Sequence, residues 1–369
     1  MRRAELDSIA LLERLTGRGH VQLAGRAAAG IWAALKALGA EGRPVLIPAN
    51  TCYIVLWAAL EAGCQPHLVD VDAATGCVTL ETLHRFDRDL PAAVIPCHLY
   101  GNPAPVSAIT RWARARGIAV IEDAALALGA VADERPAGAW GDVSVLSFGL
   151  GKVVDVELGG AVLTDDPHLH QEIQRLLADA PVWDARLSGL SQQWNDLYWA
   201  LHQYEQDNLA LVDLYPALYR VYAGLVRYQL PAAYWDDFPA ALRGLQANLA
   251  HRADIARVYA AELTGLPVQL PTLHDRSVVW RYSLRAGRLT RDGLLRHLWE
   301  SGFHDVTRWY PWLEPMAAVL DPDSATTPTP TAEAWCASVL NLPVDSSVTP
   351  ESARRAAELV TRYFDGAPQ

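Results

Sequence analysis

Between about Gly25 and Asp166 the chain alternates short, unbroken apolar runs with longer stretches of helical character. The runs are Val45-Leu46-Ile47, His67-Leu68-Val69, Ala93-Val94-Ile95 and Ile118-Ala119-Val120-Ile121. They are continuous rather than alternating, as strands buried on both faces must be. Helical stretches separate them near residues 54–62, 80–86 and 106–116. An earlier one, over 26–38, is rich in alanine and leucine and stops at Gly39, a common helix terminator. This alternation predicts an α/β fold with a mostly parallel sheet flanked by helices. Ligands of such sheets bind beyond the carboxyl ends of the strands. Asp123 stands at such an end, just after 118–121.

The pattern changes at Pro167. Residues 167–242 are helical in pattern and carry Trp183, Trp194, Trp199, Trp235 and many tyrosines. Leu214, Leu218, Val221 and Leu225 recur at helical spacing, while Pro216 and Pro231 break any single long helix. A helical insertion that packs on the body or on a partner subunit is expected. Its mixed acids and few arginines disfavour a membrane-surface role. A second lobe follows, with a helix near 245–263, a strand over 278–284, and a helix with Thr290 and Asp292 as its cap and first turn. The last helix opens with Thr349 as cap and Pro350 at its first position. With 369 residues, long for one core, the chain divides into 1–244, an α/β domain bearing the insertion, and 245–369, a smaller C-terminal α+β domain.

Composition narrows the function. A formal net charge of −11 without any basic cluster excludes a nucleic-acid partner. The apolar runs are too short to span a bilayer, and acidic residues at Glu5 and Asp7 stand where a signal peptide needs its apolar stretch. The five cysteines (Cys52, Cys64, Cys77, Cys97 and Cys336) are scattered and lack a close CxxC pair. Reduced, mostly buried thiols in a cytoplasmic protein fit better than disulfides, and no metal site is expected.

The chemistry centres on Lys152, in Ser147-Phe148-Gly149-Leu150-Gly151-Lys152 between the apolar runs 143–146 and 158–162. Burial disfavours the charged form of a lysine and leaves a nucleophilic amine, able to form a Schiff base with a carbonyl cofactor. A phosphate-binding P-loop is excluded: Leu146 stands where its first glycine belongs and Val153 where Ser or Thr would bind magnesium. Pyridoxal phosphate (PLP) makes four demands. It needs an amine, an acid to keep its ring nitrogen protonated, donors for its phosphate, and a flat or apolar cover for the ring. Lys152 and Asp123 meet the first two. The helix opening near Arg26, Ala27 and Ala28 offers free N–H groups for the phosphate, and Ser147 adds a hydroxyl.

These segments make the chain recognisable. It resembles the DegT/DnrJ/StrS family of PLP-dependent aminotransferases, best known for amino-sugar biosynthesis. The resemblance rests on Gly39 through Pro48 with Thr51, Pro66-His67-Leu68-Val69-Asp70-Val71-Asp72, His98-Leu99-Tyr100-Gly101-Asn102-Pro103, Ile121-Glu122-Asp123-Ala124-Ala125, and Gly141-Asp142 through Ser147-Phe148 to Lys152 and Gly159-Gly160. Weaker matches are Leu245-Gln246-Ala247, Trp309-Tyr310-Pro311 and Leu340-Asn341-Leu342-Pro343. The resemblance implies a fold type I PLP enzyme, a homodimer with shared active sites, that takes an amino donor and a keto acceptor. It makes Lys152 the Schiff-base lysine, Asp123 the pyridinium partner and Ser147 a phosphate ligand.

The sequence also departs from the family. Leu126 stands where members usually place a Gln or His against the cofactor's phenolic oxygen. The helix opening usually reads Ser-Gly-Thr but here reads Gly25-Arg26-Ala27-Ala28, so Arg26 either makes a charge-assisted phosphate contact or caps a surface. Phe238-Pro239-Ala240-Ala241 replaces the Asn-Tyr-Arg segment that reaches the neighbour's site. The stacking aromatic falls near Cys52, with Tyr53 beside it as either stacker or core residue. Arg281, Arg308, Trp309 and Tyr310 are candidate substrate contacts, an arginine there being suited to a carboxylate. The acceptor is expected to be a keto sugar or another small biosynthetic intermediate. Alternatives are another PLP-dependent reaction on a non-sugar substrate, or a non-catalytic family member acting as a partner protein.

Overall fold

The computed structural model of the chain describes residues 2–87, 90–204, 214–272, 276–322 and 327–366, and for 199–204 the backbone only. The side chain of Trp199 lies outside the described residues. In chain order the strands are β1 (His20–Ala24), β2 (Pro44–Pro48), β3 (Gln65–Val69), β4 (Ala93–Val94), β5 (Ala119–Asp123), β6 (Val131–Ala132), β7 (Arg135–Pro136), β8 (Val143–Ser147), β9 (Gly160–Thr164), β10 (Tyr282–Arg285) and β11 (Val339–Leu342). Among the described residues, one sheet has the order β1-β9-β8-β5-β4-β2-β3. The pairs β3·β2, β2·β4, β4·β5 and β5·β8 are parallel, whereas β9 runs antiparallel to both β8 and β1. The mostly parallel sheet expected from the apolar runs is present. Val45, Leu46, Ile47, Val94, Val120 and Ile121 are almost wholly buried because helices cover both faces.

Two elements precede the pattern read from sequence. A helix over Arg3–Thr16 and strand β1 close the antiparallel edge of the sheet. Only Val21 and Ala24 of β1 are buried, so it lacks the unbroken apolar run that marks an inner strand. The helix Ala27–Ala37 ends before Gly39, which takes the left-handed conformation (φ +66°) that glycine adopts without strain.

The insertion forms helices over Pro167–Ala178, Ala185–Tyr204 and Tyr215–Ala223 and a 3-10 turn at Ala232–Trp235. Pro216 falls in the first turn of its helix and Pro231 directly before the 3-10 turn, as helix-breaking residues should. These helices pack on the body through aromatic rings: Trp57 meets Trp194, Tyr219 and Tyr222, with centroids 4.8–6.5 Å apart. Leu218 and Leu225 face inward, whereas Leu214 is exposed.

Among the described residues, buried side chains gather into two clusters, a large one on the main sheet and a smaller one around Ile255, Tyr259, Leu284, Leu294, Leu340 and Ala357. The smaller cluster lies between the antiparallel pair β10·β11 and the helices Leu245–Leu263, Arg288–Glu300 and Pro350–Gly366. Thr349 caps the last helix, its hydroxyl accepting from the Ser352 N–H at 3.1 Å.

Two expectations are corrected here. The strand expected over 278–284 is shortened to β10, because the Val278 N–H pairs with the Gly101 carbonyl and not with a ladder partner. The helix expected to be capped at Thr290 begins at Arg288 with Gly287 before it. Asp292 is therefore an interior residue, and it turns to the guanidinium groups of Arg291 (2.6 Å) and Arg308 (3.7 Å). Two buried cations draw the carboxylate more strongly than free N–H groups at a helix end.

Candidate active site

The site opens at the carboxyl ends of the parallel strands. Asp123 is the last residue of β5 and is buried. Its Oδ1 accepts the Ala125 N–H (2.9 Å), and the Cys97 thiol lies 3.6 Å from Oδ2. Burial pushes the Asp123 carboxyl up, against the Ala125 hydrogen bond and the nearby Lys152 charge. Beneath it, Glu122 is fully buried and accepts from the N–H groups of Gly138, Trp140 and Gly141, the Ser144 hydroxyl and His98. The His98 Nδ1 accepts the Ala104 N–H, so the network assigns the ring proton to Nε2, which donates to Glu122 at 2.8 Å. This set of bonds fixes the β5 end that carries Asp123.

Lys152 sits in the loop after β8. Burial lowers its pKa, while Cys52 and Asp123 oppose that shift. The loop is held on several sides. Gly151 donates its N–H to Asp155 (2.6 Å) and its carbonyl accepts from Trp280 Nε1 (2.8 Å). Arg252 donates to the carbonyls of Lys152 (3.3 Å) and Trp280 (2.7 Å) and to Asn248 Oδ1 (2.6 Å), and Asn248 donates to the Val153 carbonyl. The helix Leu245–Leu263 thus grips the lysine loop, a role with no signal in the local sequence.

Ser147 ends β8 opposite Gly160 of β9. Gly160 packs so closely on the start of the helix Ala27–Ala37 that an added Cβ would fall 2.5 Å from the Ala27 nitrogen. The register therefore brings Ser147 beside the first turn of that helix, where N–H groups lack intrahelical partners. Among the described residues the Ser147 hydroxyl has no hydrogen-bond partner. Arg26 lies over the Tyr222 ring (4.7 Å) and donates to the Leu225 carbonyl (3.0 Å). Ala27 and Ala28 follow it, Ala28 wholly buried.

Aromatic rings line the remaining wall. Tyr310 is buried and stacks on Trp280 (5.7 Å, 11°), and Trp309 stacks on the same ring (6.1 Å, 20°). Trp309 Nε1 donates to the Tyr198 hydroxyl at 2.6 Å, and the Tyr198 ring lies 5.4 Å from that of Tyr53. Tyr53 also packs on Trp57, and burial holds the Tyr53 and Tyr310 hydroxyls well above the usual phenol range. Arg281 lies over Trp309 (5.3 Å) and donates to the Asp305 carbonyl. Arg308, by contrast, turns to Asp292. Leu126 is buried and presents a hydrocarbon surface. Sequence reasoning missed Cys97, Arg252, Trp280, Tyr198 and Tyr222. The density of Trp and Tyr in the insertion was the one available hint.

The profile of the DegT/DnrJ/EryC1/StrS aminotransferase family matches residues 10–198 and 239–361. The chain belongs to this family. Among curated proteins, the erythromycin biosynthesis sensory transduction protein EryC1 of Saccharopolyspora erythraea is 29% identical over 325 residues, covering 86% of this chain and 79% of the relative. A family aminotransferase from Brucella abortus superposes with a TM-score of 0.77 at 23% identity, over 100% of this chain and 91% of the other. DesV of S. venezuelae, solved with a ketimine intermediate, gives 0.78 at 23% identity over 100% and 91%. DesI, solved with its TDP-sugar product, gives 0.76 at 24% identity over 99% and 86%. The fold is that of the PLP-dependent aminotransferases, and the protein is an aminotransferase of this family. Residues 199–238, most of them in the second half of the insertion, lie outside the family match.

The donor set suits the family's cofactor. A buried acid has no cation within salt-bridge distance among the described residues, an amine of lowered pKa lies near it, and an unpartnered hydroxyl adjoins a helix amino end. Among the described residues no helix is long and apolar enough to cross a membrane.

Proposed function

We propose that the protein binds PLP and transfers an amino group from an amino-acid donor to a keto acceptor, either a keto sugar or another small biosynthetic intermediate. What carries this reading is the nearness of Lys152 to Asp123 at the end of β5, each charge favouring the ionised form of the other. PLP supplies a ring that absorbs the electron pair left on a substrate carbon. Asp123 pairs with the protonated ring nitrogen. Ser147 and the N–H groups of Ala27 and Ala28 bind the phosphate. Tyr53 and Leu126 line the ring's apolar surroundings. Lys152, its pKa lowered by burial, would take the proton from the donor's α-carbon and deliver it to the carbon of the cofactor's former aldehyde, and would carry a proton the opposite way with the acceptor.

For the acceptor, a keto sugar is favoured by two observations. DesI was solved with a TDP-sugar product, and Trp309, partly exposed, backed by the buried Trp280 and lying beside Gly151, offers an aromatic surface near Lys152 suited to the apolar face of a sugar ring. Arg281 is the side chain suited to a donor's carboxylate. Arg308, held by Asp292, supports the small lobe beside it. A homodimer with shared sites is part of the proposal: Leu150, two residues before Lys152, is 72% exposed and is a candidate for cover by a second subunit.

The test is spectroscopic. The purified protein should show a visible band of lysine-bound cofactor that an amino donor discharges and that Lys152→Ala abolishes. Single-turnover reactions with a panel of nucleotide-linked keto sugars and 2-oxo acids then assign the acceptor. A colourless protein that cannot be reconstituted with PLP would sink the proposal.

A further inference from the structure

Arg26 is a half-buried cation with no carboxylate in salt-bridge distance among the described residues. Burying a cation without a counter-ion is costly. The fold nevertheless takes care to hold it. The Tyr222 ring lies under the guanidinium at 4.7 Å, Tyr228 borders it at 5.9 Å, and the Leu225 carbonyl accepts from Nη1 at 3.0 Å. Gly25 fits directly against the Tyr228 backbone, where an added Cβ would fall 2.1 Å from its carbonyl oxygen. All three clamp residues come from 199–238, the stretch outside the family match. The clamp takes one of the guanidinium's five N–H donors and leaves the rest.

The clamped cation stands where an anion is due. Arg26 caps the helix whose first turn adjoins Ser147, and its charge is felt at Lys152 and at Cys52. The opening of this helix, Gly25-Arg26-Ala27-Ala28, carries no hydroxyl. A guanidinium fork matches a phosphate better than a single hydroxyl does.

We propose that Arg26, held in place by Tyr222, Tyr228 and the Leu225 carbonyl, is the cation that pairs with the phosphate of the cofactor, and that residues 222–228 are a positioning device for it. This inference rests on the PLP reading above. Ser147 and the helix N–H groups share the phosphate with Arg26. Tyr222 acts through its ring rather than its hydroxyl, which has no hydrogen-bond partner among the described residues.

The experiment titrates the apo-protein with PLP and, separately, with pyridoxal, which has the aldehyde but no phosphate, following the visible band in each case. Arg26→Gln should weaken PLP by about ten- to a hundredfold, the worth of one charge-assisted bond, and leave pyridoxal unchanged. Arg26→Lys should retain most of the PLP affinity. Tyr222→Leu should lose PLP affinity in the same direction but by less, and Tyr222→Phe should not. If Arg26→Gln does not fold, Arg26→Lys and Tyr222→Leu decide. Loss confined to PLP in Tyr222→Leu supports the clamp, and wild-type PLP affinity in that variant overturns it. A folded Arg26→Gln that binds PLP like the wild type, or that loses PLP and pyridoxal equally, overturns the role of Arg26 while leaving the PLP reading intact. A wild-type protein that takes up neither aldehyde overturns that reading itself.

Discussion

At the scale of single residues, the site depends on charges whose environments have been set in opposite directions. Glu122 is held at about 2 despite its burial, because His98 and the N–H groups of Gly138 and Trp140 favour its ionised form. Its folded-state pKa lies below the ordinary 4.5, so it adds stability that is fully present above that pH. This contribution is lost as the pH falls through about 2, and is worth about 3 kcal/mol. Glu122→Gln should therefore lower the unfolding free energy at pH 7 by about 3 kcal/mol, with the gap to wild type closing in acid, as urea unfolding at several pH values will show. Asp123→Asn should still bind PLP but lose roughly a hundredfold or more in donor half-reaction rate, since an amide cannot hold the ring nitrogen protonated. Stopped-flow absorbance separates the two effects. Lys152, Asp123 and Ser147 could be proposed from sequence because Asp123 and Ser147 end strands and Lys152 follows in the same short motif. Cys97 could not, because its bearing on Asp123 depends on β4 and β5 lying side by side.

Among elements, the loop between β8 and β9 and the helix Ala27–Ala37 must approach without intervening side chains. Gly160 makes that possible: an added Cβ would lie 2.5 Å from the Ala27 nitrogen and 3.0 Å from the Leu146 carbonyl oxygen. Gly160→Ala should cost about 1–3 kcal/mol, as overpacking does, and should weaken PLP, measured by thermal unfolding and by titration. Arg252 ties the helix Leu245–Leu263 to the lysine loop through the Lys152 carbonyl and to the small lobe through the Trp280 carbonyl, and is itself braced by Asn248. Arg252→Ala should destabilise the protein by about 2–3 kcal/mol and broaden the pH profile of the lysine-bound absorbance by loosening Lys152. The helix itself was read from sequence with its bounds, 245–263, intact. The gripping face was not legible, since its partners, Lys152 and Trp280, lie far along the chain. The helix start near Thr290 was misread for a similar reason, because the buried arginines that claim Asp292 are fixed by tertiary packing.

For the whole molecule, the insertion packs against the segments that surround Lys152. Its Tyr198 meets Trp309, and its Tyr234 hydroxyl accepts from the Leu158 N–H just after the lysine loop, at 2.9 Å. Tyr198→Phe removes the acceptor of a Trp309 Nε1 donor and should cost about 1 kcal/mol. It should raise the acceptor KM while leaving PLP affinity unchanged, read from paired kinetic and binding titrations. The proposed homodimer predicts a mass of two chains in light scattering, and Leu150→Glu should shift it toward one. The α/β sheet was readable from the chain alone, and Lys152, Asp123 and Ser147 could be proposed from it. Strand periodicity is local, and the family motifs are contiguous. The aromatic wall, the grip of Arg252 and the clamp on Arg26 were decided only by tertiary structure. Each joins side chains far apart in sequence, and no local pattern records which distant ring or carbonyl a buried guanidinium will meet.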